Sequence, residues 1–278
     1  MNQQSDFPDI LFIAGLGHSG STVTDLLLGA QEGIVGLGEI NVLLKQKTRS
    51  KFLGKYDKYP CTCGLTPSDC PVWGPFKDRI SNSGDSYGEL YKSLIRNVIS
   101  THPECTVIVD SSKNLGALKK VYRYLQSSGF DMEKKFKVLH LIKDVRSFTQ
   151  SEIKNGNKRH IFKIFNKWKR TNVRFDDFFN EKNLSVLRLS YEEIALSTHK
   201  SGSKILDFLK MGENSFDDNI SDSMSHIIFG NKMRIKNSQR ISYDYRWFLN
   251  AELSLYYALW PGIRKMNKEW VYGNLGDK

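Results

Sequence analysis

Asp9-Ile10-Leu11-Phe12-Ile13-Ala14-Gly15-Leu16-Gly17-His18-Ser19-Gly20-Ser21-Thr22-Val23-Thr24-Asp25-Leu26-Leu27-Leu28-Gly29 is the stretch whose reading decides the fold. Residues 10–14 form a short apolar run of the kind a fully buried strand shows. Gly15, Gly17 and Gly20 then permit positive φ and close backbone approach. Val23, Leu26 and Leu27 follow at the spacing of an amphipathic helix. The reading is therefore strand, glycine loop, helix. Such a loop aims backbone N–H groups and the positive end of a helix at one point, which suits an anion.

The loop nearly satisfies the phosphate-binding pattern G-x-x-x-x-G-K-[ST], with Gly15 and Gly20 as its glycines and Thr22 as its final hydroxyl. Ser21 stands at the lysine position. That lysine reaches the β- and γ-phosphates of a nucleoside triphosphate, so a cradle without it points to a different phosphate ester. His18, inside the loop, supplies the basic group instead.

Composition narrows the classes. The chain has 278 residues, 40% hydrophobic, with a formal net charge of +11. Without a long Lys/Arg block, that charge favours an anionic ligand or substrate over a nucleic-acid partner. No apolar run approaches the ~20 residues that span a bilayer. Residues 1–8 are polar and lack a basic segment followed by an apolar one, so no signal peptide is expected and the chain reads as cytoplasmic. Of the four cysteines, Cys61, Cys63 and Cys70 cluster in a Gly/Pro-rich loop. Their C-x-C-x₆-C spacing departs from the paired C-x₂-C of zinc sites, so structural thiols or one local disulfide are expected, and no metal.

Further strand–helix pairs follow the first. Residues 105–109 read as a second buried strand ending at Asp110-Ser111-Ser112-Lys113. Residues 136–142 read as a third, ending at Lys143-Asp144, and 184–189 as a fourth, ending at Ser190-Tyr191-Glu192-Glu193. Helical spacing marks 85–100, a stretch carrying Leu118 to Leu125, and 158–179, the last with Phe162, Phe165, Trp168, Phe175 and Phe179 on its apolar side. Gly36-Leu37-Gly38-Glu39-Ile40 reads as a turn, 45–81 as irregular, 212–239 as mostly loop, and 244–260 as a final helix stopped by Pro261. Alternating strands and helices argue for an α/β fold with a parallel sheet covered on both faces. Ligands of such sheets bind at the carboxyl ends of the strands, where all four of these strands carry polar or charged residues.

Together these strand ends resemble the sulfotransferases that use 3′-phosphoadenosine 5′-phosphosulfate, the bacterial members and the tyrosylprotein branch above all. Gly17-His18-Ser19-Gly20-Ser21-Thr22 looks like their 5′-phosphosulfate loop, [R/K]-S-G-[T/S]-[T/S], with His18 at the basic position. Lys143-Asp144-Val145-Arg146, with Ser151 eight residues after Lys143, resembles their 3′-phosphate motif, R-D-x-R followed by a serine. Lys143 keeps the charge of the motif's first arginine but not its bidentate fork. Ser190-Tyr191-Glu192-Glu193 resembles an R-Y-E-D segment, and Gly230-Asn231-Lys232-Met233-Arg234 a late G-N-x-x-R loop. Cys61-Thr62-Cys63-Gly64 and Cys70-Pro71-Val72-Trp73 recur in such proteins as well.

The resemblance spans residues 10 to about 260 in consistent order. It implies one sulfotransferase domain over 1–278, of a three-layer P-loop-NTPase-like α/β fold, with an irregular insertion at about 45–84. The implied co-substrate is 3′-phosphoadenosine 5′-phosphosulfate, leaving as adenosine 3′,5′-bisphosphate, with no metal. The implied partner is a hydroxyl-bearing acceptor: a small molecule, carbohydrate, lipid or peptide. The 17–22 loop would hold the 5′-phosphosulfate. Lys143 and Ser151 would hold the 3′-phosphate, with Tyr191, Gly230, Asn231 and Arg234 completing the donor site. Catalysis would fall to Glu39 as general base, with His18 and Lys113 neutralising charge on the transferring group. Asp110 is the alternative base, and an ion pair with Asp110 is the alternative role for Lys113. A Mg²⁺-dependent P-loop kinase and a non-catalytic nucleotide-binding protein of the same fold are the competing readings.

Overall fold

A computed structural model describes residues 7–82, 84–156, 160–212, 216–220, 223–231, 234 and 241–273. Five strands, β1 (Asp9–Gly15), β2 (Ile34–Gly36), β3 (Val107–Lys113), β4 (Phe136–Ile142) and β5 (Ser185–Ser190), form one parallel sheet in the order β2-β3-β1-β4-β5, flanked by helices. The α/β expectation holds, with one strand more than the sequence pattern suggests. β2 is only three residues long and leads into the turn expected at 36–40, too short for any periodicity to register. Its register against β3 pairs Ile34 with Val107, Val35 with Ile108 and Gly36 with Val109.

The chain divides into two compact units. The first comprises Met1–Ile13, Thr22–Val138 and Asp217–Gln239; the second comprises Ala14–Ser21, Leu139–Phe216 and Arg240–Lys278.

In the first unit, the helix Tyr87–Thr101 buries Leu90, Tyr91, Leu94, Ile95 and Val98, at helical spacing. It begins with a capping box, Ser86 accepting from the Glu89 N–H while the Glu89 carboxylate accepts from the Ser86 N–H. Leu115–Ser127 is capped by Asn114, whose Oδ1 accepts from the Ala117 N–H. β3 starts at Val107 and continues through Asp110, Ser111 and Ser112 to Lys113, past the point where its apolar run ends. Those polar side chains remain in a strand because each has a partner: Asp110 the Tyr91 hydroxyl, Ser111 the Asp25 carboxylate, Ser112 the Asn41 N–H and Lys113 the Glu39 carboxylate. The 45–84 region is not irregular throughout: it contains the helices Gln46–Leu53 and Gly74–Asn82. Pro75 stands in the first turn of the latter, where a missing N–H costs nothing.

In the second unit, Ile161–Glu181 packs Ile161, Ile164, Phe165 and Trp168 against Leu16, Ile142, Val145, Phe148, Trp247, Leu253 and Ile263. Full burial of each such side chain contributes about 1.5–3 kcal/mol. Phe162 is exposed instead of sharing that face. The helix is capped by His160, whose Nδ1 accepts from the Phe162 N–H; the expected start at Lys158 lies outside the described residues. The helix Ala251–Ala258 ends just before Pro261, as expected, but it is not the last. Pro261 opens another, Pro261–Tyr272, at the first-turn position where proline is tolerated. Ala251–Ala258 precedes it, and a short 3₁₀ turn, Arg246–Leu249, replaces the expected helix start at 244. Among the described residues, no helix is long and apolar enough to cross a membrane.

Candidate functional site

The second unit holds most of the glycine loop. β1 ends at Gly15, where a Cβ would stand 2.4 Å from the Leu141 carbonyl oxygen, so only glycine lets β1 run this close to β4. His18 has φ 67° and Gly20 φ 90°, both left-handed, which turns the chain into the helix Ser21–Gly29. A Cβ on Gly20 would lie 2.3 Å from Cδ2 of Tyr191, so the tyrosine ring packs directly on the loop. Tyr191 is itself placed by a capping box at the end of β5, in which Ser190 and Glu193 exchange side-chain and backbone hydrogen bonds. Its hydroxyl donates to the Ser242 carbonyl.

Lys143 follows β4 and is buried. Its Nζ lies 3.4 Å from Ser151 Oγ, 4.8 Å above the Tyr191 ring and 2.8 Å from Asp244 Oδ2. The eight-residue spacing of Lys143 and Ser151 works because Lys143 sits just before the helix Val145–Lys154 and Ser151 faces it from the second turn. Asp144 caps that helix, accepting from the Arg146 N–H, and holds the Arg146 guanidinium at 3.0 and 2.6 Å. Arg146 lies over the rings of Trp247 and Tyr257, so its place in the motif is structural. His18 Nε2 lies 3.8 Å from Glu152, the residue after Ser151.

Asp244 is a site residue that the sequence did not disclose. Burial alone would raise its carboxyl, but hydrogen bonds from Arg246 and Lys143 hold it well below the usual carboxylate range. Arg246 donates to both of its oxygens at 2.7 Å. An Asp-x-Arg pair inside an apparent helix start gives no sign that it will meet a lysine 101 residues away.

The first unit carries the other expected residues. Thr22 Oγ1 accepts from the Asn231 N–H at 3.1 Å, and Phe229 O accepts from the Glu39 N–H at 3.4 Å. The late Gly230-Asn231 loop therefore touches both Thr22 and the Gly38-Glu39 turn. Glu39 and Lys113 form an ion pair at 2.7 Å, both partly buried. The alternative pairing of Lys113 with Asp110 is corrected by this contact: Asp110 is fully buried and accepts instead from the Tyr91 hydroxyl and the Ser112 N–H. β3 carries Lys113 to the turn, where its φ of 66° directs it away from the strand. Arg234, expected to close on a 3′-phosphate, donates through Nη2 to the carbonyls of Ile228 and Pro60. Lys232 and Met233 of the same motif lie outside the described residues.

A second residue missed from the sequence is Asp25, which holds the Gly38-Glu39 turn. Its Oδ2 accepts from the Gly38 N–H at 3.0 Å and from Ser111 Oγ at 2.6 Å. Burial pushes the Asp25 carboxyl up to about 7, against those two hydrogen bonds, and burial likewise pushes Asp110 up to about 6. Both folded-state values lie above the unfolded one, so these groups favour the fold fully below about pH 4 and lose that contribution as pH rises through 6 to 7. Asp25→Asn removes the Asp25 part. The stability of the natural chain relative to this variant should fall by on the order of 4 kcal/mol between about pH 4 and pH 7.5 and change little above that. Thermal melts across that range would show it, and a difference independent of pH would place the Asp25 carboxyl in water.

No protein-family model and no curated protein sequence matches the chain. Solved structures do. The sulfotransferase domain from the Synechococcus PCC 7002 olefin synthase superposes with a TM-score of 0.59 at 16% identity, covering 92% of this chain and 98% of that domain. The sulfotransferase domain from the curacin biosynthetic pathway gives a TM-score of 0.54 at 15% identity, covering 91% and 97%. From its first strand to its last helix, the chain has the fold of these sulfotransferase domains.

Proposed function

We propose that the protein is a sulfotransferase that moves a sulfonate from 3′-phosphoadenosine 5′-phosphosulfate to a hydroxyl of its acceptor. One observation carries the reading: Tyr191 packs on Gly20 and under Lys143, which faces Ser151. An anion-binding turn and a buried ammonium–hydroxyl pair are thus assembled in one unit, as a donor with two separated anionic groups requires. The residues fit that donor in kind, since backbone N–H, ammonium and hydroxyl all donate to phosphate oxygens. Asp244 is the acceptor among them, so Lys143 must share its hydrogen bonds when the donor binds.

Bound there, the donor supplies the sulfonate; the chain's own residues do the rest. The 17–22 turn holds the 5′ end, and Lys143 with Ser151 holds the 3′-phosphate. Glu39 takes the proton from the acceptor hydroxyl, the base that the sulfotransferase resemblance implies. Full burial of Asp110 favours Glu39 over it. Lys113 orients the Glu39 carboxylate.

Incubating the protein with the donor and a panel of phenols and alcohols, without added Mg²⁺, tests this. Chromatography should show adenosine 3′,5′-bisphosphate accumulating only when an acceptor is present. Formation of ADP from ATP with Mg²⁺, and no bisphosphate with any acceptor, would move the protein to the kinase reading.

A further inference from the structure

We infer that Cys61, Cys63, Cys70 and His226 form a four-ligand zinc site in the first unit. Their ligand atoms all lie within 4.8 Å of one another. A tetrahedral zinc, with Zn–S about 2.3 Å and Zn–N about 2.0–2.1 Å, sets sulfur–sulfur edges of about 3.8 Å and sulfur–nitrogen edges of about 3.5 Å. Cys61 Sγ and Cys70 Sγ are 3.8 Å apart, and they lie 3.9 and 3.2 Å from His226 Nδ1. Three thiolates and an imidazole are the soft set that selects zinc. A disulfide between Cys61 and Cys70 would need a sulfur–sulfur distance of about 2.0 Å and would leave Cys63 and His226 unexplained.

The surroundings are built as a metal-bound histidine requires. With Nδ1 turned to the metal, His226 Nε2–H donates to His102 Nε2 at 2.8 Å. His102 Nδ1–H in turn donates to Glu104 Oε1 at 3.3 Å. Such a chain fixes the tautomer and raises ligand basicity. Backbone contacts hold the ligands in place: the His226 N–H donates to the Gly36 carbonyl at 2.7 Å, and Trp73 Nε1–H to the His226 carbonyl at 2.6 Å. The Thr62 and Ile227 backbones are joined, Thr62 N–H to Ile227 O at 3.2 Å. Cys61 lies in a tight turn closed by its own N–H to the Leu65 carbonyl. With all four positions filled by protein, the metal has no open site and acts structurally. It fastens the 61–70 loop to the segment 223–231, whose Phe229 and Asn231 reach Glu39 and Thr22.

Full-length, untagged protein purified without chelator tests the inference, with no donor or acceptor involved. Titrating its thiols with an organomercurial, while a chromogenic chelator reports released metal, should yield about one zinc per chain. Cobalt exchanged for zinc should show intense visible bands of a tetrahedral ion and a thiolate charge-transfer band. Cys63→Ser, which alters the exposed ligand, should lose most of the zinc, while Cys105→Ser should keep it. His102→Ala, removing only the partner of His226, should weaken zinc by about 10–100-fold. Zinc far below one per chain with no tetrahedral cobalt spectrum would overturn the inference, as would a Cys61–Cys70 disulfide in the native protein.

Discussion

Glu39→Gln should lower turnover by about 10²–10⁴-fold while leaving adenosine 3′,5′-bisphosphate binding nearly unchanged. Glutamine keeps the shape of the side chain and can still accept a hydrogen bond from Lys113, but it cannot take a proton. The backbone of the turn does not depend on the carboxylate: Gly38 N–H is held by Asp25 and Glu39 N–H by the Phe229 carbonyl. The variant therefore removes proton transfer without moving the turn, and the loss should appear in kcat at saturating donor. Asp110→Asn should act mainly on stability, because its carboxylate is fully buried against Tyr91 and Ser112. Near-normal turnover in Glu39→Gln, together with an inactive but folded Asp110→Asn, would exchange the two roles.

Lys143→Ala should weaken adenosine 3′,5′-bisphosphate by about tenfold to a hundredfold, the scale of a charged hydrogen bond of about 1.5–3 kcal/mol. AMP, which lacks the 3′-phosphate, should bind almost as before. The ammonium meets Ser151 Oγ and the Tyr191 ring, and Lys143 with Ser151 is assigned the 3′ group alone. Asp244 sharpens the expectation. It is the internal counter-ion of Lys143, so Asp244→Asn removes a competitor for the ammonium and should tighten the bisphosphate. Equal losses for bisphosphate and AMP in Lys143→Ala would place Lys143 outside the 3′-phosphate site.

Local features of this chain could be read from its sequence, and distant ones could not. The run 10–14 and the glycines after it announce β1 and its loop, since strand, turn and helix start within a few residues. Lys143 and Ser151 come together because eight residues carry the chain from a strand end to the second turn of the next helix. Ser190 and Glu193 form their capping box three residues apart. By contrast, Lys113 chose Glu39, 74 residues away, over Asp110 on its own strand. A strand alternates its side chains between faces, and Asp110 points into the buried face against Tyr91. Asp25, within the helix Ser21–Gly29, looks like a surface acid until Gly38 and Ser111 surround it. His226 stands 156 residues from Cys70, so the spacing of the cysteines alone could not show that an imidazole joins their cluster. Pro261 marks the end of Ala251–Ala258 and also opens Pro261–Tyr272, because proline both ends a helix and is tolerated in the first turn of the next.

The central claim is that this fold holds a nucleotide with anionic groups at both its 5′ and 3′ ends. Calorimetric titration of the purified protein with adenosine 3′,5′-bisphosphate and with AMP tests it most directly. Adenosine 3′,5′-bisphosphate should bind at least about tenfold tighter than AMP and should do so without Mg²⁺. Equal affinity for the two nucleotides, or tight binding of ATP with Mg²⁺ and none of the bisphosphate, would contradict the claim.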